Sequence, residues 1–502
     1  MIDWYVMTVW VVILKVIYTV CMFVLFAYGV HSVCLSVIYY INRRHTHDLD
    51  NLPQPVDWPR VTIQLPIYNE QFLIEKQLQT VVNLDYPRNR LQIQVLDDST
   101  DFTTELARAQ VERYCANGFD VQFRHRTNRR GFKAGALAAA TLEATGNLIA
   151  IFDADFLPPR DWLKRVVPVF ENPKIGFVQT RWGHMNDKQN LLTRMLSLAL
   201  DGHFMVEQNA RYTGDLLMGF NGSGGIWRKQ AIEDAGGWQS DTLTEDLDLS
   251  YRAQMAGWHP GYMSQVVVPG KVPWQMASFN TQQYRWSKGS IQTTRKLFGK
   301  VMHSDFSLKK RLFGVFHLSM YLPFLFMVIT LLLVLPVGLV DPRYFIYFPW
   351  TVCASIAPPL MYALAKTERV PRLIDRVVLM PPMIIMGVGL SVNCALGVVS
   401  GMLYEGGVFE VTPKLEPQVA VVNKKHKTRM PITVWGELAM GAYLVTTVYV
   451  LWPTAGLALA PWLLSSALGY FGVAAVKIYQ YLKRSRLSSQ KQDTHRRPVV
   501  NP

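Results

Sequence analysis

Charge is scarce in this chain: Asp, Glu, Lys and Arg make up 18% of its 502 residues, while hydrophobic types make up 50%. That balance is too apolar for one soluble enzyme, so membrane segments are expected beside a folded domain. Paired cysteines are also lacking. Cys21, Cys34, Cys115, Cys353 and Cys394 show no C-x-x-C spacing, which argues against a disulfide framework or a thiolate zinc site, and they read as buried thiols. There are no internal repeats, and low complexity is confined to the polar tail from Lys483 to Pro502. A basic n-region is missing at the N-terminus, whose apolar stretch runs from about Trp4 to Ile41. That is far longer than the core of a signal peptide, so retained membrane structure is expected. The expectation is an interfacial first part interrupted by Lys15, then a crossing near Ile17 to Ile41.

The charge that is present has one dominant sign, a formal net charge of +14. Its cations cluster at Arg43 and Arg44, between Lys296 and Arg311, and after Lys483, always beside apolar runs. An anionic, cytoplasmic lipid bilayer face explains that placement, and no nucleic acid partner is expected. Four regions follow: a membrane or interfacial helix over 1–45, a soluble domain over 59–300, a membrane domain over 301–482, and a basic cytoplasmic tail over 483–502. In the soluble region, β-rich runs at Val61 to Leu65, Leu91 to Leu96, Val121 to Arg124 and Leu148 to Phe152 alternate with helical stretches, the signature of an α/β domain. Three of these runs end in "LPIYNE", "VLDDST" and "IFDAD", and the C-terminal ends of parallel strands face a common crevice.

Five more apolar runs follow, Leu312 to Val340, Tyr344 to Ala365, Val377 to Leu403, Ile432 to Leu451 and Leu457 to Tyr481. If all of them crossed, the basic tail would lie outside, against the positive-inside rule. Val377 to Leu403, with its Pro pair, glycines and Asn393, is the best candidate for a non-spanning, interfacial helix. That choice keeps the loop of about 404–430 on the cytoplasmic side.

Chemistry concentrates in a few stretches. "DDS" (Asp97 to Ser99) and "DAD" (Asp153 to Asp155) place carboxylates at strand ends, where Mg²⁺ or Mn²⁺ could be attracted and neutralise a pyrophosphate. "TEDLDLSYR" opens a helix, with Thr244 as N-cap and Asp246 either serving the first turn or acting as a general base. "GFNGSGGIW", with Gly222 and Ser223, permits close backbone approach just before a helix. "RRGFKAGAL" opens another helix on cations, from which Lys133 could reach a nucleotide.

In this order, "LPIYNE", "DDSTD", "KAGAL", "DAD", "FNGSGG", "TEDLDL" and "QQYRW" resemble the inverting, membrane-integrated family 2 glycosyltransferases, which include cellulose, hyaluronan, chitin and mannan synthases. The resemblance runs from about Val61 to Lys414 and is nearest in motifs to plant glucomannan, mannan and xyloglucan-backbone synthases. It implies an α/β GT-A (Rossmann-like) cytoplasmic domain inserted in an α-helical transmembrane domain. It further implies a processive β-glycan synthase at the plasma membrane that exports its product. By the same carry-over Asp246 is the base with Glu245 beside it, and Tyr68, Glu70, Asp98, Lys133, Asp153, Asp155, Gln282 and Arg285 bind the donor. Asp155 holds the metal, Trp286, Gly222 and Ser223 meet the polysaccharide acceptor, and Phe409, Val411, Thr412 and Lys414 form the gating loop "FEVTPK".

GDP-mannose and UDP-glucose both fit as donor, with mannan or glucomannan favoured by "AGGW" and "FNGSGG". A glycolipid synthase of the ceramide glucosyltransferase type shares the aspartates and Q-x-x-R-W and is the rival. No PilZ-like segment follows the last helix, so cyclic-di-GMP control would need a separate subunit, and an accessory export subunit is compatible with the family.

Overall fold

The computed structural model describes residues 2–45, 48–50, 52–347, 352–407 and 430–496. The chain enters on one long helix, α1 (Ile2–Asn42), which runs unbroken through Lys15. Its ammonium meets Asp341 at 2.8 Å, so the charge that was expected to interrupt the helix is instead neutralised by a partner.

Beyond it lies a mixed seven-stranded sheet in the order β3-β2-β1-β4-β6-β5-β7. Its strands are β1 (Val61–Ile67), β2 (Leu91–Asp97), β3 (Asp120–His125), β4 (Leu148–Ile151), β5 (Ile175–His184), β6 (Gly225–Arg228) and β7 (His259–Gly270). β1 to β4 are mutually parallel, β6 runs antiparallel to both β4 and β5, and β7 pairs parallel with β5. The four strands anticipated from the sequence are present within a residue or two. Both faces of β1 and β2 are covered, so their side chains are nearly all buried, as central parallel strands require. Glutamines survive there because they pair: Gln64 donates to Gln94 at 3.0 Å, and Thr62 donates to Gln92 at 2.7 Å.

α2 (Ile74–Val82), α3 (Thr103–Ala116) and α4 (Phe132–Glu143) follow the first three strands, and α5 (Trp162–Val166) follows β4. α6 (Leu191–Asp201) continues through a π-helical turn, Gly202–Gln208, into α7 (Asn209–Thr213). α8 (Lys229–Asp234), α9 (Glu245–Met255) and α10 (Met276–Met302) complete this half. Cys115 corrects the expectation of buried thiols: it sits in the last turn of α3, where the helix meets solvent, and is exposed.

The second half contains α11 (Leu308–Leu318), α12 (Leu322–Val340), α13 (Val352–Leu364), α14 (Leu373–Val377), α15 (Met380–Gly389), α16 (Ser391–Leu403), α17 (Thr433–Leu451) and α18 (Leu457–Arg496). Among the described residues three helical stretches, Val9–Asn42, Leu322–Val340 and Thr433–Lys483, are long and apolar enough to cross a membrane. The pair Leu373–Gly389 and Ser391–Leu403, bent by 47°, adds a fourth if it is one span. Thr433–Lys483 folds back at the π turn Trp452–Gly456, so that Lys477 on α18 pairs with Glu437 on α17 and lies 3.2 Å from Thr433. α11 is separated from α12 by the Ser319–Tyr321 turn, so the span begins at Leu322 rather than Leu312.

The membrane half docks on the sheet half through polar contacts. Between α13 and α14, Glu368 takes both oxygens to Arg181 at 3.0 and 3.1 Å, and Arg369 meets Asp187 at 3.1 Å. After α16, Gly406 N donates to Asp241 O at 3.1 Å. Both ends of the α14–α16 segment therefore lie against the same domain. α16 reaches α10 closely through small residues: a Cβ on Gly397 or Gly401 would stand 2.9 Å from Tyr284 O or 2.6 Å from Lys288 O.

Candidate active site

Chain segments far apart in sequence meet where β1, β2 and β4 end. Asp97, the last residue of β2, is fully buried; its carboxylate takes Ser99 N at 3.0 Å, Thr104 Oγ1 at 2.8 Å and His125 Nδ1 at 2.7 Å. That organises the turn and aims the next carboxylate, Asp98, at a fork from Arg126: Nε to Oδ1 at 2.8 Å and Nη2 to Oδ2 at 2.6 Å. Arg126 Nη2 also donates to Phe132 O at 2.8 Å, which ties Asp98 to the start of α4. Nearby, the Arg129 guanidinium lies 3.4 Å from the centre of the Tyr68 ring, and the Glu70 carbonyl accepts from Leu73 N and Ile74 N at the head of α2.

Lys133, one residue into α4, bridges the centre. Its Nζ donates to Asp153 Oδ1 at 2.6 Å and to Gly222 O at 2.9 Å. Burial works against the ammonium, but Asp153 and Glu245 outweigh it and hold Lys133 above its ordinary value. Asp153 N donates to Ser223 Oγ at 3.0 Å, so the hydroxyl of fully buried Ser223 is spent on the backbone after β4. Asp155 Oδ2 accepts from Lys271 N at 3.1 Å, just past β7.

Gly222 has φ +80 and lies so close to α9 that a Cβ would stand 2.8 Å from Asp246 Oδ2. Only glycine combines that backbone with that approach. Asp246 is one of three acidic residues in the first turn of α9, and its Oδ1 accepts from Leu247 N at 2.9 Å. Burial, and next the charge of Glu245, push Asp246 up to about 7 despite Lys133. Burial also raises Glu245, against the pull of Lys133 and Arg285. A carboxylate that titrates near neutrality in an enclosed, polar site suits proton abstraction. The expected N-cap is corrected: Thr244 makes no side-chain cap, because its hydroxyl lies 3.0 Å from Thr293 Oγ1 on α10.

α10 carries Gln282, Arg285 and Trp286. Gln282 is buried, Arg285 bears electrostatically on Glu245, and Trp286 is partly buried against a cluster that includes Leu192, Phe279, Tyr321 and Val473. Phe409, Val411, Thr412 and Lys414 lie outside the described residues.

Sequence reasoning missed the layer beneath the glycine loop. In the π turn, His203 Nδ1 meets Glu207 Oε2 at 2.9 Å, and Asn221 Nδ2 donates to His203 Nε2 at 3.0 Å. Gln208 Nε2 donates to Asn221 Oδ1 at 2.6 Å, and Arg211 Nε to Glu207 Oε1 at 3.0 Å. Although burial opposes it, Arg211 and His203 hold Glu207 well below the usual carboxylate range. The available signal was "HFMVEQNAR", polar residues at helical spacing in an otherwise apolar helix. Arg126 was missed as well, hidden among the cations of "RHRTNRR".

Among the described residues no three His, Cys, Asp or Glu side chains gather to enclose a metal. One carboxylate is nevertheless a fitting anchor for Mg²⁺ or Mn²⁺ that arrives with a diphosphate, since such ions keep most of their ligands from phosphate and water. Asp155, whose Oδ2 accepts from Lys271 N, would be the residue to hold such an ion, while Asp153 Oδ1 is paired with Lys133.

The chain has matches among known proteins. The model of "Glycosyl transferase family group 2" matches residues 148–365. Glucomannan 4-beta-mannosyltransferase 7 of Arabidopsis thaliana is 38% identical over 253 residues, 49% of this chain and 46% of that protein. Glucomannan 4-beta-mannosyltransferase 1 of Cyamopsis tetragonoloba is 37% identical over 281 residues, 54% of this chain and 53% of that protein. The aligned part thus spans about half the length of these relatives. Among solved structures, a mannosyltransferase from Pyrobaculum calidifontis in complex with GDP-Man and Mn²⁺ superposes with a TM-score of 0.49 at 23% identity, covering 70% of this chain and 97% of that one. A mixed sheet and strand-end carboxylates thus accompany a match of residues 148–365 to the family 2 glycosyl transferases and, over about half the chain, a relationship to plant glucomannan 4-beta-mannosyltransferases.

Proposed function

We propose that the protein is an inverting β-hexosyltransferase that builds a β-1,4-mannan or glucomannan from GDP-mannose, with UDP-glucose as the other candidate donor. The observation that carries this reading is Asp246, raised to about 7 and packed on Gly222 beside the Lys133–Asp153 pair. In the proposed step Asp246 takes the proton of the acceptor hydroxyl while that oxygen bonds to the anomeric carbon. The bond from that carbon to the diphosphate breaks, and its electrons leave with the phosphate. Attack opposite the leaving group converts an α-linked donor into a β-linked product. Lys133 and Arg285 place cations near the acidic cluster where the diphosphate would lie. A divalent ion on Asp155, when bound, would offset the charge of the leaving diphosphate.

Export and processivity are part of the proposal. Both ends of the α14–α16 segment meet the sheet domain at Arg181, Asp187 and Asp241, which supports a segment that enters the membrane face without crossing. α1 and α12 would then cross, the stretch that contains the 13-residue α13 would bring the chain back to the sheet domain at Glu368, and α17 and α18 would cross as a pair, leaving the sheet domain and basic tail on the cytoplasmic side of the plasma membrane.

The test is to incubate the purified protein with radiolabelled GDP-mannose or UDP-glucose and Mn²⁺ or Mg²⁺, then digest the product with β-mannanase or cellulase. A β-mannanase-sensitive polymer is expected. A single labelled sugar on lipid would support the glycolipid synthase instead, and no transfer from either donor would refute the reading.

A further inference from the structure

α10 is wedged between the segment that carries the base and the chain that leaves α16. On one side a Cβ at Gly289 would stand 3.0 Å from Thr244 N. On the other lie Gly397 and Gly401 of α16. Gln292, one turn beyond Gly289 and 4% exposed, touches both neighbours. Its Oε1 accepts from Leu243 N at 3.1 Å. Its Nε2 donates to Tyr404 O at 3.0 Å and to Gly406 O at 2.7 Å. Gly406 N closes the arrangement on Asp241 O at 3.1 Å.

The amide can sit only one way, because a flip would set its oxygen against two carbonyls and its NH₂ against an N–H. Leu243 is three residues ahead of Asp246, and α9 begins at Glu245, so little slack separates the bonded N–H from the carboxylate. Buried packing alone would be met by Leu or Met. Three backbone bonds to two distant segments in a water-poor site specify position.

We propose that Gln292 is a positioning residue that makes the placement of Asp246 depend on the seating of Tyr404–Gly406. The inference rests on Asp246 being the base. The described bonds of Gln292 go to Leu243, Tyr404 and Gly406 and to none of the donor-binding residues among the described residues, so its loss should act on turnover and leave donor binding alone.

The experiment compares Gln292→Met, which removes all three bonds, with Gln292→Glu, which keeps the Leu243 bond but has no N–H for either carbonyl. Donor turnover and the affinity for nucleoside diphosphate are measured on the detergent-purified full chain. Both variants should lose about tenfold to 100-fold in kcat, as expected for a displaced catalytic group, with affinity within about twofold of wild type. Amide hydrogen exchange should rise together at Leu243–Asp246 and Tyr404–Gly407 in Gln292→Met. Wild-type kcat in Gln292→Glu would overturn the coupling, as would a loss expressed wholly in donor affinity. If Gln292→Met does not fold, Gln292→Asn, too short to span both segments, should show the same split, and wild-type kcat there would refute it. Asp246→Asn, run in parallel, separates the two ideas: retained turnover in that variant refutes the base assignment itself.

Discussion

Replacing Asp246 by Asn removes the proposed proton acceptor with little change in shape. Its Oδ1 can still accept from Leu247 N, and an amide fits the space against Gly222. Lys133 loses one of three acidic neighbours, yet Asp153, the strongest of them, stays in contact at 2.6 Å, so the cation and donor binding should survive. What disappears is general-base assistance, which is typically about 10²–10⁴-fold. At about 1.4 kcal/mol per decade this is about 3–6 kcal/mol of transition-state stabilisation. The wild-type enzyme should also carry the signature of this group. Asp246 is raised to about 7 and acts deprotonated, so activity should fall about tenfold per pH unit below that point and level off above it. The assay follows nucleoside diphosphate release and labelled polymer across the neutral range, with donor binding measured separately. An Asn variant within tenfold of wild type on the plateau, or a wild-type profile flat through pH 7, would refute the reasoning.

Asp155→Ala should weaken donor affinity when Mn²⁺ or Mg²⁺ is present and have little effect in chelator; equal affinities for wild type and variant in both conditions would count against a metal role. Gly222→Ala should cost at least tenfold in kcat, because φ +80 and a Cβ 2.8 Å from Asp246 Oδ2 force the loop or the base to move; kinetics matching wild type would show that the contact is dispensable. Thr412→Ala with Lys414→Ala should reduce polymer synthesis strongly in a folded, membrane-inserted protein, and normal yields of long polymer would remove these two residues from the mechanism.

Local pattern carried much of the molecule. Val61 to Leu65 and Leu91 to Leu96 read as strands because β-rich runs of that length end in polar or turn residues, and the carboxylates at their ends were therefore visible as a site, whereas the burial of Thr62, Gln64, Gln92 and Gln94 was not. The ordered motifs pointed to the resemblance for a related reason: each is a short stretch whose spacing is fixed within one turn or one strand. Partners across long separations were not legible. Asp98 with Arg126, Lys133 with Gly222, Thr244 with Thr293 and Gln292 with Gly406 are matched only after the sheet order and helix packing are set. So is the seventh strand's place, since β7 lies beside β5 although β6 separates them in the chain.

Polar residues look alike in sequence whether they face water or complete a buried bond. Sequence by itself determined that carboxylates and cations would be held at strand and helix ends beside a membrane. Only tertiary structure decided which of them meet, because the free energy of a buried polar pair depends on distance and desolvation, and neither is a property of neighbouring residues along the chain.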